Sequence, residues 1–196
     1  MTAPAPHRTD PSRPFAVCVF CGARPGSEPR FLELAARAGA LLAASGATVV
    51  YGGGRVGMMG ALADGALAEG GEVVGVIPSV LMNREVGHTG LARLEVVADM
   101  QVRKQRMIEL SDAFLTLPGG LGTLDELFEV LTLRQLGEHA KPIVAVSDHG
   151  YFDALAASLR AFVGHGLAAA RDVDALELFP TVQAALARLG LPRAPA

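Results

Sequence analysis

Tryptophan is absent from this 196-residue chain, cysteine and lysine occur twice each, and only 5% of the residues are aromatic. Two cysteines cannot frame a disulfide-stapled fold. The pair in Cys18-Val-Phe-Cys21 lies within and at the end of an apolar run instead of at a helix start, so it reads as two buried thiols. The histidines at 7, 88, 139, 149 and 165 show no HxxxH or HExxH spacing, which leaves a metal site without support. Net charge is only −3, with 15 Arg against two Lys, and this argues against a general nucleic-acid surface. Glycines and charges interrupt every apolar run before it reaches the roughly 20 residues of a membrane span. Residues 1–13 are rich in Pro, Arg and Ser and read as a disordered tail, not a signal peptide, so a cytoplasmic protein is expected.

What is present is apolar and small: 51% hydrophobic residues and a mean hydropathy of +0.35. That suits one domain with a substantial core, expected over 14–190, with a short C-terminal tail at 191–196. Charged residues are 19%, below the roughly 25% usual in soluble chains. The uncovered apolar surface this implies is answered by a symmetric oligomer.

Apolar runs alternate with amphipathic stretches throughout. Strands are expected at 15–20, 48–51, 73–77, 94–97, 113–117 and 143–146, with helices near 29–44, 58–69, 100–110, 123–136 and 152–163 between and after them. A looser segment follows the third strand, and a last short strand and helix fall around 176–189. This order predicts an α/β fold, a doubly wound parallel sheet with helices on both faces. Ligands of such sheets bind outside the carboxyl ends of the strands, so each loop leaving a strand is a candidate.

Three of these loops are unusual: residues 21–27, the run Tyr51-Gly-Gly-Gly-Arg-Val-Gly-Met-Met-Gly60, and Pro118-Gly119-Gly120-Leu121-Gly122-Thr123. In the last, Gly119, Gly120 and Gly122 would let a ligand reach the main chain, and the following helix offers unpaired N–H groups and a positive dipole end. A phosphate can sit there without a lysine. The plain alternative is a capping box between Thr123 and Glu126, three apart at a helix start. In the second loop Gly52, Gly54 and Gly57 satisfy GxGxxG, but no carboxylate ends the third strand to hold a ribose, which argues against NAD. Close helix packing explains one or two of that loop's five glycines and not the rest. GxxxxGK[ST] and GxSxG are both missing, which excludes a P-loop and a nucleophile elbow.

Upstream, Met100-Gln-Val-Arg103-Lys104-Gln-Arg106 opens a helix at the same sheet edge. Cations near a helix N-terminus are disfavoured unless an anion meets them, which weighs against a merely solvated face. Arg103 and Glu126 are thereby expected on one cleft.

These residues resemble the LOG (Lonely Guy) family, cytokinin riboside 5′-monophosphate phosphoribohydrolases that often carry a lysine decarboxylase label. YGGGRVGMMG is similar to the family's GGGxxGxMG, PGGLGTLDE to its PGGxGTxxE and MQVRK to its MHxRK, and FCGARPG and REVGHTG fit further segments, over roughly residues 15–190. The resemblance implies a Rossmann-like fold, a homodimer, and no metal or redox cofactor. It implies Arg103 and Glu126 as the catalytic pair. For the substrate, AMP or N6-substituted AMP, it implies Glu85, Lys104, Gly120, Gly122, Thr123 and Thr132 as contacts, beside Gly119, Gly53 and Gly54 of the glycine loops. Gln101 stands where the family has histidine. The implied reaction is water attack at the ribose anomeric carbon, with Arg103 keeping Glu126 ionised by lowering its pKa. Met58, Met59 and Met82 are the expected apolar pocket for the base substituent. A non-catalytic nucleotide or molybdenum-cofactor carrier and an NAD-dependent oxidoreductase are the alternatives.

Overall fold

The computed structural model describes residues 13–82 and 87–191. Its first strand explains why residues 15–20 carry no polar side chain. In β1 (Ala16–Phe20) Val17 and Val19 enter one core cluster while Ala16, Cys18 and Phe20 enter another on the opposite face. A strand covered on both sides must be apolar at every position.

The chain continues through α1 (Arg30–Ala44), β2 (Thr48–Tyr51), α2 (Gly57–Ala68), β3 (Val73–Pro78), α3 (Ser79–Met82), β4 (Arg93–Val97) and α4 (Met100–Glu109). It then runs through β5 (Ala113–Thr116), α5 (Leu121–Gln135), β6 (Ile143–Val146), α6 (Asp153–Gly164), α7 (Ala170–Val173), β7 (Leu176–Phe179) and α8 (Val182–Arg188). The described strands form one seven-stranded sheet in the order β4-β3-β2-β1-β5-β6-β7, and every pairing is parallel. Residues of α1, α2 and α8 pack on one face, and residues of α4, α5 and α6 on the other. This is the doubly wound arrangement expected from the alternation and the Rossmann-like fold implied by the resemblance.

Winding runs outward from β1 to β4, and the chain then returns to place β5 on the other side of β1, with Val17 beside Ala113 and Phe20 beside Thr116. The order therefore reverses between β1 and β5. Loops leaving two adjacent strands at such a reversal diverge to opposite faces and leave a crevice between them.

Most expected boundaries shift by about one residue, and two departures carry more weight. Arg13, assigned to the tail, forms an ion pair with buried Asp112 through contacts of 2.8 and 2.9 Å. Helix α5 begins at Leu121 and not at Thr123, because Gly120 is extended (φ −96°, ψ −151°) and serves as its N-cap. Thr123 thus lies inside the first turn, and the capping box is not formed.

Candidate active site

At the sheet reversal the loops after β1, β2 and β5 border a cleft of about 1150 Å³. Its wall includes Gly22, Gly52, Gly54, Gly119, Gly120, Gly122 and Thr123, with Arg103 and Glu126 among them. The two charged residues are 6% and 8% exposed, and Arg103 Nη1 lies 3.3 Å from Glu126 Oε1. Arg103 reaches this point from the first turn and a half of α4, whose start is capped by Asp99 accepting from the N–H groups of Gln101 and Val102 at 2.9 Å. Its Nε donates to the Val76 carbonyl at 3.2 Å, which fixes the guanidinium over the end of β3.

Burial pushes the Glu126 carboxyl up to about 7, and the opposing attraction of Arg103 only limits the rise. The expectation that Arg103 holds Glu126 below its ordinary range is therefore corrected. Desolvation of a carboxylate within a nearly dry wall outweighs one guanidinium at 3.3 Å that is itself anchored to a carbonyl. Cys21 also lines the cleft, but burial raises its thiol and keeps it protonated, so it supplies no thiolate.

The glycines divide into two kinds. A side chain at Gly52 would collide with the Arg103 guanidinium, and one at Gly54 with Met59. Gly53 is left-handed (φ 73°), packs on Ile77, and gives its carbonyl to the His88 N–H at 2.9 Å. Gly57 is left-handed as well, and Gly60 rests on the Arg55 carbonyl. All five glycines of this loop are thus accounted for by the protein's own packing, against expectation. Gly120 and Gly122 are different, because a Cβ on either would meet nothing within 4 Å and would project into open space. Their bareness is unexplained until a ligand occupies the cleft. Among the described residues no side chain caps the start of α5 at Gly120, which leaves its first N–H groups to an anion.

The remaining expected contacts fall elsewhere. Lys104 pairs with Asp125 at 3.0 Å and Glu129 at 2.9 Å, and with Thr132 it lines a separate hollow of about 300 Å³ on the outer side of α5. Thr132 gives its hydroxyl to the Phe128 carbonyl at 2.7 Å. Arg106 pairs with Glu95 and Glu109, the solvated reading that sequence had offered as the alternative. Gln101 is exposed and outside the cleft lining. Glu85 lies outside the described residues. Met58 and Met59 border the cleft, but Met82 packs against Gly87, and Leu81 takes the place expected of it.

Sequence reasoning passed over Phe31, Ile77, Leu81 and Tyr151 as cleft residues. Tyr151 follows β6, so the rule that sites gather at strand ends could have found it. Its loop lacks the glycine pattern that drew attention to the other three.

A protein-family profile described as possible lysine decarboxylase matches residues 59–189. The chain is 52% identical over 140 residues to a cytokinin riboside 5′-monophosphate phosphoribohydrolase of Rhodococcoides fascians, covering 71% of each chain. It is 45% identical over 172 residues to a protein of the same description from Mycobacterium tuberculosis, covering 88% of this chain and 91% of that one. Among solved structures, the molybdenum cofactor binding protein from Rippkaea orientalis superposes with a TM-score of 0.71 at 22% identity, over 91% of this chain and 96% of that one. This last likeness concerns the fold alone.

Proposed function

The chain belongs to the LOG family of cytokinin riboside 5′-monophosphate phosphoribohydrolases, and from that premise we propose that its cleft hydrolyses the N-glycosidic bond of AMP-type nucleotides. The observation that carries the reading is the buried Arg103–Glu126 pair, 3.3 Å apart, beside a glycine cradle with open amide donors. The 5′-phosphate rests on the first turn of α5, where backbone N–H groups and the helix dipole favour an anion. Cleavage of the bond to the base develops positive charge at the anomeric carbon, as in glycoside hydrolysis. Glu126, when ionised, stabilises that charge and accepts a proton from the attacking water. The electron pair of the broken bond leaves with the purine, and a carboxyl titrating near 7 can return the proton to it. The products are the free base and ribose 5-phosphate. Arg103 orients Glu126 and binds substrate oxygens.

The lysine decarboxylase description finds no chemistry in this cleft. Lys104 faces the outer hollow, and Lys141 donates to the Ile108 carbonyl at 2.6 Å and lies over the Phe114 ring, so neither lysine reaches the wall.

The same proposal includes a homodimer built on the outer face of α4 and α5. Leu121 is 89% exposed there, Phe128, Met100 and Val102 are also uncovered, and the hollow of Lys104 and Thr132 opens beside them. A concentration-independent monomer mass in sedimentation would sink this part. A cytoplasmic location, consistent with two unpaired cysteines, is checked by cell fractionation.

Incubation with AMP and with isopentenyladenosine monophosphate, followed by chromatography, tests the reaction. Free adenine or isopentenyladenine is the expected product. Intact nucleotides after prolonged incubation would leave a binding protein and no hydrolase.

A further inference from the structure

We propose that Tyr151 is a positioning residue for the phosphate cradle, holding the Gly119–Gly120 peptide so that its carbonyl cannot turn toward the bound anion. The inference rests on reading the cleft as a nucleoside monophosphate site. Three successive carbonyls lead into α5, and each is engaged. Pro118 accepts from the Gly22 N–H at 3.1 Å, Gly119 from the Tyr151 hydroxyl at 2.8 Å, and Gly120 from the Leu124 N–H at 3.1 Å. The outer two bonds are main chain to main chain and come with the fold. Only the middle one depends on a side chain.

That middle peptide is also the one most able to rotate, because it joins two glycines and no Cβ on either side resists the turn. The described peptide bonds include no cis bond, and in a trans peptide the C=O and N–H point in opposite directions. Fixing the Gly119 oxygen on Tyr151 therefore sends the Gly120 N–H the other way. A reversed peptide would present oxygen lone pairs where phosphate oxygens must sit, replacing attraction by repulsion.

The rest of the turn is built to deliver this hydroxyl. The Tyr151 ring meets Phe31 edge-on at 5.9 Å and Phe152 at 5.0 Å. Two left-handed residues precede it, His149 (φ 49°) and Gly150 (φ 77°), and the first is an uncommon conformation for a side chain with a Cβ. Arg30 and Asp148 form an ion pair at 2.7 Å that ties the same turn to the start of α1. Loops leaving β1, β5 and β6 are thus joined at one end of the cleft, and Tyr151 is the member that reaches the cradle. It lies 32 residues from the glycine it holds.

Tyr151→Phe keeps the ring and removes the hydroxyl. Calorimetric titration of the wild type and this variant with AMP and with adenosine is the test. AMP should bind roughly 5- to 30-fold more weakly to the variant, and adenosine should change by less than about twofold. KM for the monophosphate should rise by a similar factor with kcat nearly constant. Equal losses for both ligands would make Tyr151 a general support of the fold and overturn the proposal. Unaltered AMP binding, or a fall in kcat at constant KM, would overturn it too. A wild type that binds AMP and releases no base fails the hydrolytic reading alone, and the calorimetric comparison then still decides Tyr151. A wild type that binds AMP no more tightly than adenosine removes the cradle and this inference with it.

Discussion

The Arg103 guanidinium occupies the space that a side chain at position 52 would need. Gly52 and Arg103 are 51 positions apart in the chain, yet one is glycine because the other must cross it to reach Glu126. Gly52→Ala should displace the end of a flexible side chain and leave the fold intact. We expect kcat/KM for AMP to fall by about 10- to 100-fold, as for a misplaced catalytic group, with the melting temperature shifted by only a few degrees. Wild-type kinetics in that variant would separate Arg103 from the reaction.

Glu126→Gln keeps the shape of the side chain and abolishes its proton chemistry. Turnover should drop on the order of 10²- to 10⁴-fold while AMP still binds. Base release at the wild-type rate would end the assignment.

The raised carboxyl of Glu126 links the site to pH. Folded protein holds its proton up to about 7, whereas an unfolded carboxyl loses it near 4.5. The native state therefore binds more protons between these values, and stability present below 4.5 is lost as pH rises through 7. Glu126→Gln should be more stable than the wild type above neutrality, by up to about 3 kcal/mol, and the advantage should vanish near pH 4.5. Denaturant unfolding at several pH values measures this directly. The acidic limb of kcat/KM should likewise turn near 7 in the wild type. A limb below pH 5 would mean that Arg103, not burial, governs the group.

Gly122→Ala separates stability from function. Its Cβ meets nothing within 4 Å, and alanine is the better helix former, so the variant should gain about 0.5 kcal/mol. The same methyl projects toward the ligand, and KM for AMP should rise at least about tenfold if it denies the phosphate one close amide contact. Unchanged KM would show that no ligand approaches the turn there.

Arg103→Ala should impair both binding and turnover, since it removes a cation from an anion site and leaves Glu126 without its partner. Single-turnover rates measured at saturating substrate decide the matter, and an unaltered rate would reduce Arg103 to a structural role.

Much of the architecture was legible because its signals are local. Short apolar runs between amphipathic ones define strands and helices, and the bounds of β2 and β6 match the expected ones residue for residue. Helix α5 starts two residues before the expected position because an extended glycine, not the threonine, ends the turn, and glycine carries no capping side chain to announce itself. The resemblance places Lys104 and Thr132 with Arg103 and Glu126, but a helix turns about 100° per residue. Arg103 and Lys104 must therefore face different ways: one enters the cleft and the other the outer hollow.

The amino-acid order alone determined the alternation of strand and helix, the parallel sheet and the glycine turn before α5, because each depends on neighbours a few residues away. Only the tertiary structure decided that burial pushes the Glu126 carboxyl up to about 7, that the Arg103 guanidinium fills the space beside Gly52 and that the Tyr151 hydroxyl donates to the Gly119 carbonyl. Burial and close approach are properties of segments distant in the chain, and no local spacing records them.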